Sequence, residues 1–208
     1  LENAAMVSGL EQALGATLDF PAPYPRMGGI ADRRGIIRSR ALWGLYLAWR
    51  AKQAGAHTVL ELGGGLGYAA YYAALLGIPD YTIVDIPLTL VASGHFLGLT
   101  AGEDKVVLYG EEDDGSRPFR LLPPQAFPAE KKFDMVVNMD SFPEFGLAIA
   151  REYVEKIKRT TKRFLSINHE CEQYTVRELF RDDPDLVSSS RNPFWLRKGY
   201  VEEMYEFR

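Results

Sequence analysis

The chain has 208 residues, room for one α/β domain with a modest extension. Its net charge of −4 argues against a general nucleic-acid binder, which would present a basic face. A single cysteine, Cys171, leaves no intramolecular disulfide and fits a reducing, cytoplasmic setting, and neither a membrane-length apolar run nor a signal-peptide layout stands in the sequence.

Residues 1–38 read as a helical and loop extension, and residues 39–208 as the main domain. The chain opens on Leu1 rather than Met, as a fragment of a longer protein would. Met6, Leu10, Leu14 and Leu18 recur every four residues and predict a helix over 1–18. Pro21, Pro23 and Pro25 keep the next stretch irregular, because each disfavours helix at the residue before it. The loop runs on to Gly35, long enough for a lid or binding segment. Its Arg26, Arg33 and Arg34 are either solvated charge or a grip for an anionic substrate, with Arg26 the candidate contact. Residues 39–54 predict a helix capped by Ser39, with Leu42, Tyr46 and Trp49 on its buried face.

Next comes Thr58-Val59-Leu60-Glu61-Leu62, a short apolar run suited to a parallel strand covered on both faces. Gly63-Gly64-Gly65-Leu66-Gly67 turns the chain into an Ala- and Tyr-rich helix over 68–76, which stops at Gly77-Ile78-Pro79. Two cofactor classes use such a turn. A dinucleotide sets its pyrophosphate on the helix N-terminus, and Gly65-Leu66-Gly67-Tyr68-Ala69-Ala70 satisfies that G-x-G-x-x-A spacing. S-adenosylmethionine has no phosphate and needs only the room. A second strand, 81–84, ends in Asp85, about twenty residues past the turn, where a carboxylate reaches ribose hydroxyls in either class. Alternatively Asp85 caps the following helix, 88–99, with Pro87 in its first turn. That helix carries His95, a surface or packed histidine.

Residues 105–109 form the third strand, closed by Gly110-Glu111, and the proline-rich stretch 118–128 reads as irregular. Strand four, 133–138, runs into Met139-Asp140-Ser141-Phe142-Pro143-Glu144-Phe145, where polar side chains face the crevice of a doubly wound sheet. A helix over 147–159 buries Ile149, Tyr153 and Ile157. Strand five, 163–168, ends in His169-Glu170-Cys171-Glu172, and a short helix covers 176–180. Residues 182–192 read as a polar turn, with the last two strands at 194–196 and 200–207. The expected fold is a Rossmann-like, doubly wound, mostly parallel sheet of seven strands.

Several of these segments carry a family resemblance. Apolar-apolar-acidic-apolar-Gly-x-Gly-x-Gly around Glu61 resembles the first motif of class I S-adenosylmethionine-dependent methyltransferases. Tyr81 to Pro87, Asn138 to Glu144, Phe164 to Glu170, and Trp195-Leu196-Arg197 with Gly199-Tyr200 together resemble the sugar O-methyltransferase family, over roughly residues 40–207. Met139-Asp140 departs from that pattern, where a small or aromatic residue is more usual. The resemblance implies S-adenosylmethionine as cofactor, held by Glu61, Gly63, Gly64, Gly65, Gly67, Asp85, Ile86 and Asn138, with Gly110 and Glu111 flanking the adenine. It implies a small-molecule partner, a sugar or glycosylated metabolite, with no nucleic acid and no membrane, and leaves a homo-oligomer open.

Methyl transfer to a hydroxyl is a direct displacement that needs alignment and removal of a proton. His169 is the candidate general base, the residue type that exchanges protons near neutral pH. Glu170 is placed to orient its ring or bind the sugar. Asp140 and Glu144 are candidate bases or hydroxyl acceptors, or caps of the helix starting near Phe145. Asp140, His169 and Glu170 would suit magnesium or manganese, but their spacing is no recognised ligand pattern, so no metal is assigned. Cys171 reads as a small buried residue. Two other readings stay open: an NAD-dependent oxidoreductase, for which no Tyr-x-x-x-Lys pair exists here, and a catalytically silent S-adenosylmethionine-binding protein.

Overall fold

The structure is a computed structural model that describes residues 2–208. Its centre is built from the most continuous apolar runs. β3 (Thr58–Leu62), β4 (Asp80–Val84), β7 (Met135–Met139) and β8 (Arg163–His169) lie parallel with their interiors fully buried. Such strands lack polar alternation because helices cover both faces. α2 (Ser39–Gln53), α3 (Tyr68–Leu75) and α4 (Pro87–Ala101) pack on the face of Val59, Tyr81, Ile83 and Val137. α5 (Leu147–Thr160) and α6 (Val176–Phe180) cover the other face, on Leu60, Leu62, Val136 and Phe164.

The sheet has eight strands rather than seven. β5 (Val106–Leu108) is one edge, followed by β6 (Phe119–Leu122), β4, β3, β7, β8, β10 (Tyr200–Phe207) and β9 (Leu186–Pro193). β10 pairs antiparallel with β8 and β9, and the rest is parallel. The order reverses between β3 and β7, which sets the binding crevice at their carboxyl ends.

The additional strand is β6, inside the stretch expected to be irregular. Pro118 and Pro123 bracket it rather than interrupt it, and the Pro118 carbonyl accepts from the Tyr81 amide at 2.8 Å. β9 replaces the expected polar turn. It is an exposed edge strand, so nothing in Ser188-Ser189-Ser190-Arg191 had to be apolar. Residues 194–196 are instead the turn between β9 and β10. On α5, Ile149 faces outward, and Ala150 and Val154 join Tyr153 and Ile157 in the core.

Val7, Leu18, Phe20 and Ile37, from the chain before α2, share one core with α2, α3 and the sheet. α1 (Glu2–Leu14) ends sooner than expected and buries Val7, leaving Met6 exposed. Phe20 is fully buried and bridges to a small hairpin of β1 (Ile30–Asp32) and β2 (Gly35–Ile37). Arg34 is neither solvated nor free for a substrate. Its guanidinium donates to Glu11 at 2.6 and 2.8 Å and to Asp32 at 3.3 Å. Asp19 accepts from the Tyr71 hydroxyl at 2.6 Å and locks the segment to α3. Tyr24 stacks on His95 of α4, with ring centroids 5.6 Å apart, which accounts for that histidine. Ser39 does not cap α2; Arg38 precedes the helix in extended conformation without a side-chain cap.

Candidate active site

The glycine bend lies at the carboxyl end of β3, beside the ends of β4 and β7. Gly63 has φ of 73°, and a Cβ there would lie 2.1 Å from Ser141 Oγ, so only glycine fits. Gly67 is left-handed at the start of α3, and its amide donates to the Gly64 carbonyl at 2.9 Å. The Gly65 amide donates to the Asp85 carboxylate at 3.0 Å, and Ile86 N–H donates to the same carboxylate at 2.7 Å. Burial raises the Asp85 pKa, and these two amides oppose the shift. Asp85 therefore closes the bend rather than capping α4, whose first residue is Pro87. The Ile86 side chain beside it is 59% exposed, an uncovered apolar surface at the mouth of the crevice.

Glu61 is a buried acid beside the bend. It is 4% exposed and accepts from Tyr81 Oη at 3.1 Å. Its carboxylate lies 2.9 Å from where a Gly64 Cβ would be, under the bend. Burial pushes its pKa up to about 8, opposed by the Tyr81 hydrogen bond and assisted by the Asp85 charge. Glu61 supports the turn from below.

Asn138 is fully buried and knits three strand ends together. Its amide donates to Leu62 O at 2.7 Å and to Ser141 Oγ at 2.6 Å, and its carbonyl accepts from Asn168 Nδ2 at 2.7 Å. The Asn168 carbonyl in turn accepts from the Ser141 amide at 3.2 Å. Ser141 and Asn168 escaped the sequence reading, because only pairing of β7 with β8 brings them together.

Gly110 and Glu111 are not at the crevice mouth. They follow β5, the outermost strand, and the Glu111 carboxylate accepts from the Leu108 amide at 2.9 Å. β6 is the neighbour of β4, and Leu122 O accepts from the Asp85 amide at 3.2 Å. The chain that follows the strand beside β4 is therefore Pro123 onward, not Gly110 and Glu111.

Beyond β7 and β8 opens a cleft of about 750 Å³. Asp140, Glu144, His169, Glu170, Arg197 and Tyr200 line it, with Arg40, Cys171 and Lys198. Asp140 adopts φ of 61°, a conformation Asp tolerates better than most residues. Its carboxylate accepts from Arg197 at 2.7 Å and from the Tyr200 hydroxyl. Arg197 lies over the Tyr200 and Trp43 rings, 3.9 and 4.6 Å from their centroids. Burial, with the Asp140 hydrogen bond, pushes the Tyr200 phenol well up, so it stays a donor. Neither Asp140 nor Glu144 caps a helix: α5 begins at Leu147 with Gly146 at its cap.

Glu170 does not orient His169. It is paired with Arg191 at 2.6 and 2.8 Å, which lowers its pKa. The His169 ring meets Tyr200 edge-on at 5.5 Å, and its Nδ1 is 3.0 Å from Cys171 Sγ. Cys171 is exposed rather than buried. With Asp140 and Glu170 each held by an arginine, the magnesium or manganese set considered from sequence is not assembled. Arg26 is exposed and is not among the residues lining the cleft. A second cleft of about 590 Å³ lies between α5 and α6, away from the strand ends. Among the described residues no helix is long and apolar enough to cross a membrane.

No family model matches the chain, and no curated protein matches its sequence. Solved structures match it through the fold. A provisionally assigned O-methyltransferase from Nostoc punctiforme aligns with a TM-score of 0.62 at 12% identity, over 81% of this chain and 57% of that one. The methyltransferase domain of bacterial CtHen1-C gives 0.59 at 10% identity, over 82% and 99%. Magnesium protoporphyrin IX methyltransferase from Synechocystis, solved with S-adenosylmethionine bound, gives 0.58 at 11% identity, over 81% and 80%. The architecture is the Rossmann-like methyltransferase fold.

Proposed function

We propose that this chain is an S-adenosylmethionine-dependent methyltransferase that methylates a hydroxyl of a sugar or glycosylated metabolite. The observation that carries the reading is the closed bend at the switch point of the sheet, where the Gly65 amide meets the Asp85 carboxylate at 3.0 Å. A carboxylate at the end of the second parallel strand is where ribose hydroxyls are held. Ile86 offers its exposed side chain to the adenine, with Pro123 to Gln125 as its other wall. Gly63, Gly64, Gly65 and Gly67 give the room, while Glu61 and Asn138 hold the bend's shape from beneath. When bound, S-adenosylmethionine supplies an electrophilic methyl group on a sulfonium, which the acceptor oxygen takes as a neutral thioether leaves.

The cleft beyond β7 and β8 is the acceptor side. Ser141 joins the two halves, touching the Asn138 amide and lying against Gly63. The free nitrogen of His169, Nε2, takes the acceptor proton. Asp140, held in place by Arg197 and Tyr200, keeps acceptor capacity on its carboxylate and serves as a fixed acceptor for sugar hydroxyls. Glu144 lines the same cleft as a second acceptor, and Glu170 shapes it through Arg191.

Turnover with a panel of sugar acceptors tests the assignment. His169→Ala is expected to lower methyl transfer about a hundredfold while cofactor affinity stays as in wild type. Undiminished transfer by the variant would remove His169 from its role.

A further inference from the structure

Three different donor side chains meet where the chain leaves β8. His169 is the last residue of the strand, and Cys171 and Glu172 follow within three positions. The His169 imidazole nitrogen, the Cys171 sulfur and a Glu172 carboxylate oxygen all lie within 4.8 Å of one another. Cys171 Sγ and His169 Nδ1 are 3.0 Å apart.

The neighbouring acids are already committed. Glu170 is held by Arg191, and Asp140 by Arg197 and Tyr200. Among the described residues, Glu172 makes no hydrogen bond or ion pair that would compete. The loop is also anchored on both sides of these donors. Before them, His169 pairs with Tyr200 across β8 and β10. After them, Tyr174 Oη donates to the Phe142 and Phe145 carbonyls at 2.7 and 2.9 Å, and a reciprocal Thr175–Glu178 cap starts α6. A scaffold fixed at both ends needs only side-chain rotation to gather its donors.

Thiolate, imidazole and carboxylate together make a zinc donor set. Hard cations such as magnesium and calcium want oxygen alone, and a sulfur donor selects against them. Around one tetrahedral zinc, ligand atoms stand about 3.5 Å apart given bonds of about 2.0–2.3 Å. The His169–Cys171 separation of 3.0 Å is within about half an ångström of that value, and no separation among the three exceeds 4.8 Å. We infer that His169, Cys171 and Glu172 form a zinc site with an open fourth position at the acceptor end of the cleft. The binding claim does not depend on the methyl-transfer reading. One consequence does rest on it: zinc on Nδ1 leaves Nε2 carrying the ring proton, so the loaded protein loses its base and zinc inhibits transfer.

The test uses reduced, chelator-stripped full chain, titrated with zinc against a chromophoric chelator and separately with cobalt(II). One equivalent is expected, with a thiolate-to-cobalt charge-transfer band. Cys171→Ser should abolish the band and weaken zinc binding at least about a hundredfold, more than loss of a supporting residue costs. Glu172→Gln should weaken binding about tenfold and keep the band. Thermal melting of each variant checks that it folds. No binding, binding without the sulfur band, or wild-type affinity in both variants would overturn the site. Failure to bind S-adenosylmethionine would leave the zinc result standing and strike only the methyl-transfer reading.

Discussion

Glu61→Gln isolates the energetic consequence of burying an acid under the glycine bend. In the folded protein the group is held near pKa 8, against about 4.5 when exposed, mainly because burial penalises the charge. A proton is therefore bound more tightly by the folded chain than by the unfolded one. For a raised acid, the stability is fully present below the unfolded pKa and is lost as pH climbs to the folded value. The 3.5-unit gap corresponds to on the order of 5 kcal/mol, an upper bound that structural relaxation reduces. Glutamine cannot ionise and keeps an acceptor for the Tyr81 hydroxyl, now at 3.1 Å. Urea unfolding of both proteins, from about pH 5 to about pH 9, reads the effect directly. The variant is expected to gain several kcal/mol on wild type across that window. A difference that does not change with pH would mean that Glu61 is charged in the folded state and the reasoning is wrong.

Asn138→Ala strips the buried junction of β3, β7 and β8 of its bonds to Leu62, Ser141 and Asn168 and should cost about 2–4 kcal/mol in the same assay. A loss below about 1 kcal/mol would show that water replaces the amide. Arg34→Met removes the ties to Glu11 and Asp32, so amide exchange should quicken across α1 while β3 and β7 stay protected. Uniform exchange in both proteins would deny that arginine its anchoring role. Asp85→Ala opens the bend and should weaken S-adenosylmethionine about tenfold or more, the worth of a charge-assisted hydrogen bond. Equal affinity would place the ribose elsewhere.

What was legible in the sequence was what burial dictates. β3, β4, β7 and β8 had to be apolar on both faces, so their residues announced them. β6 and β9 lie toward the two margins of the sheet. One hides between prolines and the other is solvent-facing Ser and Asn, so neither carries that signal. The strand order then moved a whole group of candidates, since one inserted strand takes Gly110 and Glu111 away from β4. Partners far apart in sequence were equally hidden. Nothing local says that Arg191 claims Glu170, that Arg197 claims Asp140, or that Asn168 meets Asn138. The glycine bend and Asp85 were readable because a tight turn and a strand end constrain residue type directly.

Calorimetric titration of the purified protein with S-adenosylmethionine and, in parallel, with NAD decides the central point. One-to-one binding of the sulfonium nucleoside with no heat from the dinucleotide is expected of the Gly65–Asp85 bend. Retention of NAD by a protein indifferent to saturating S-adenosylmethionine would contradict it.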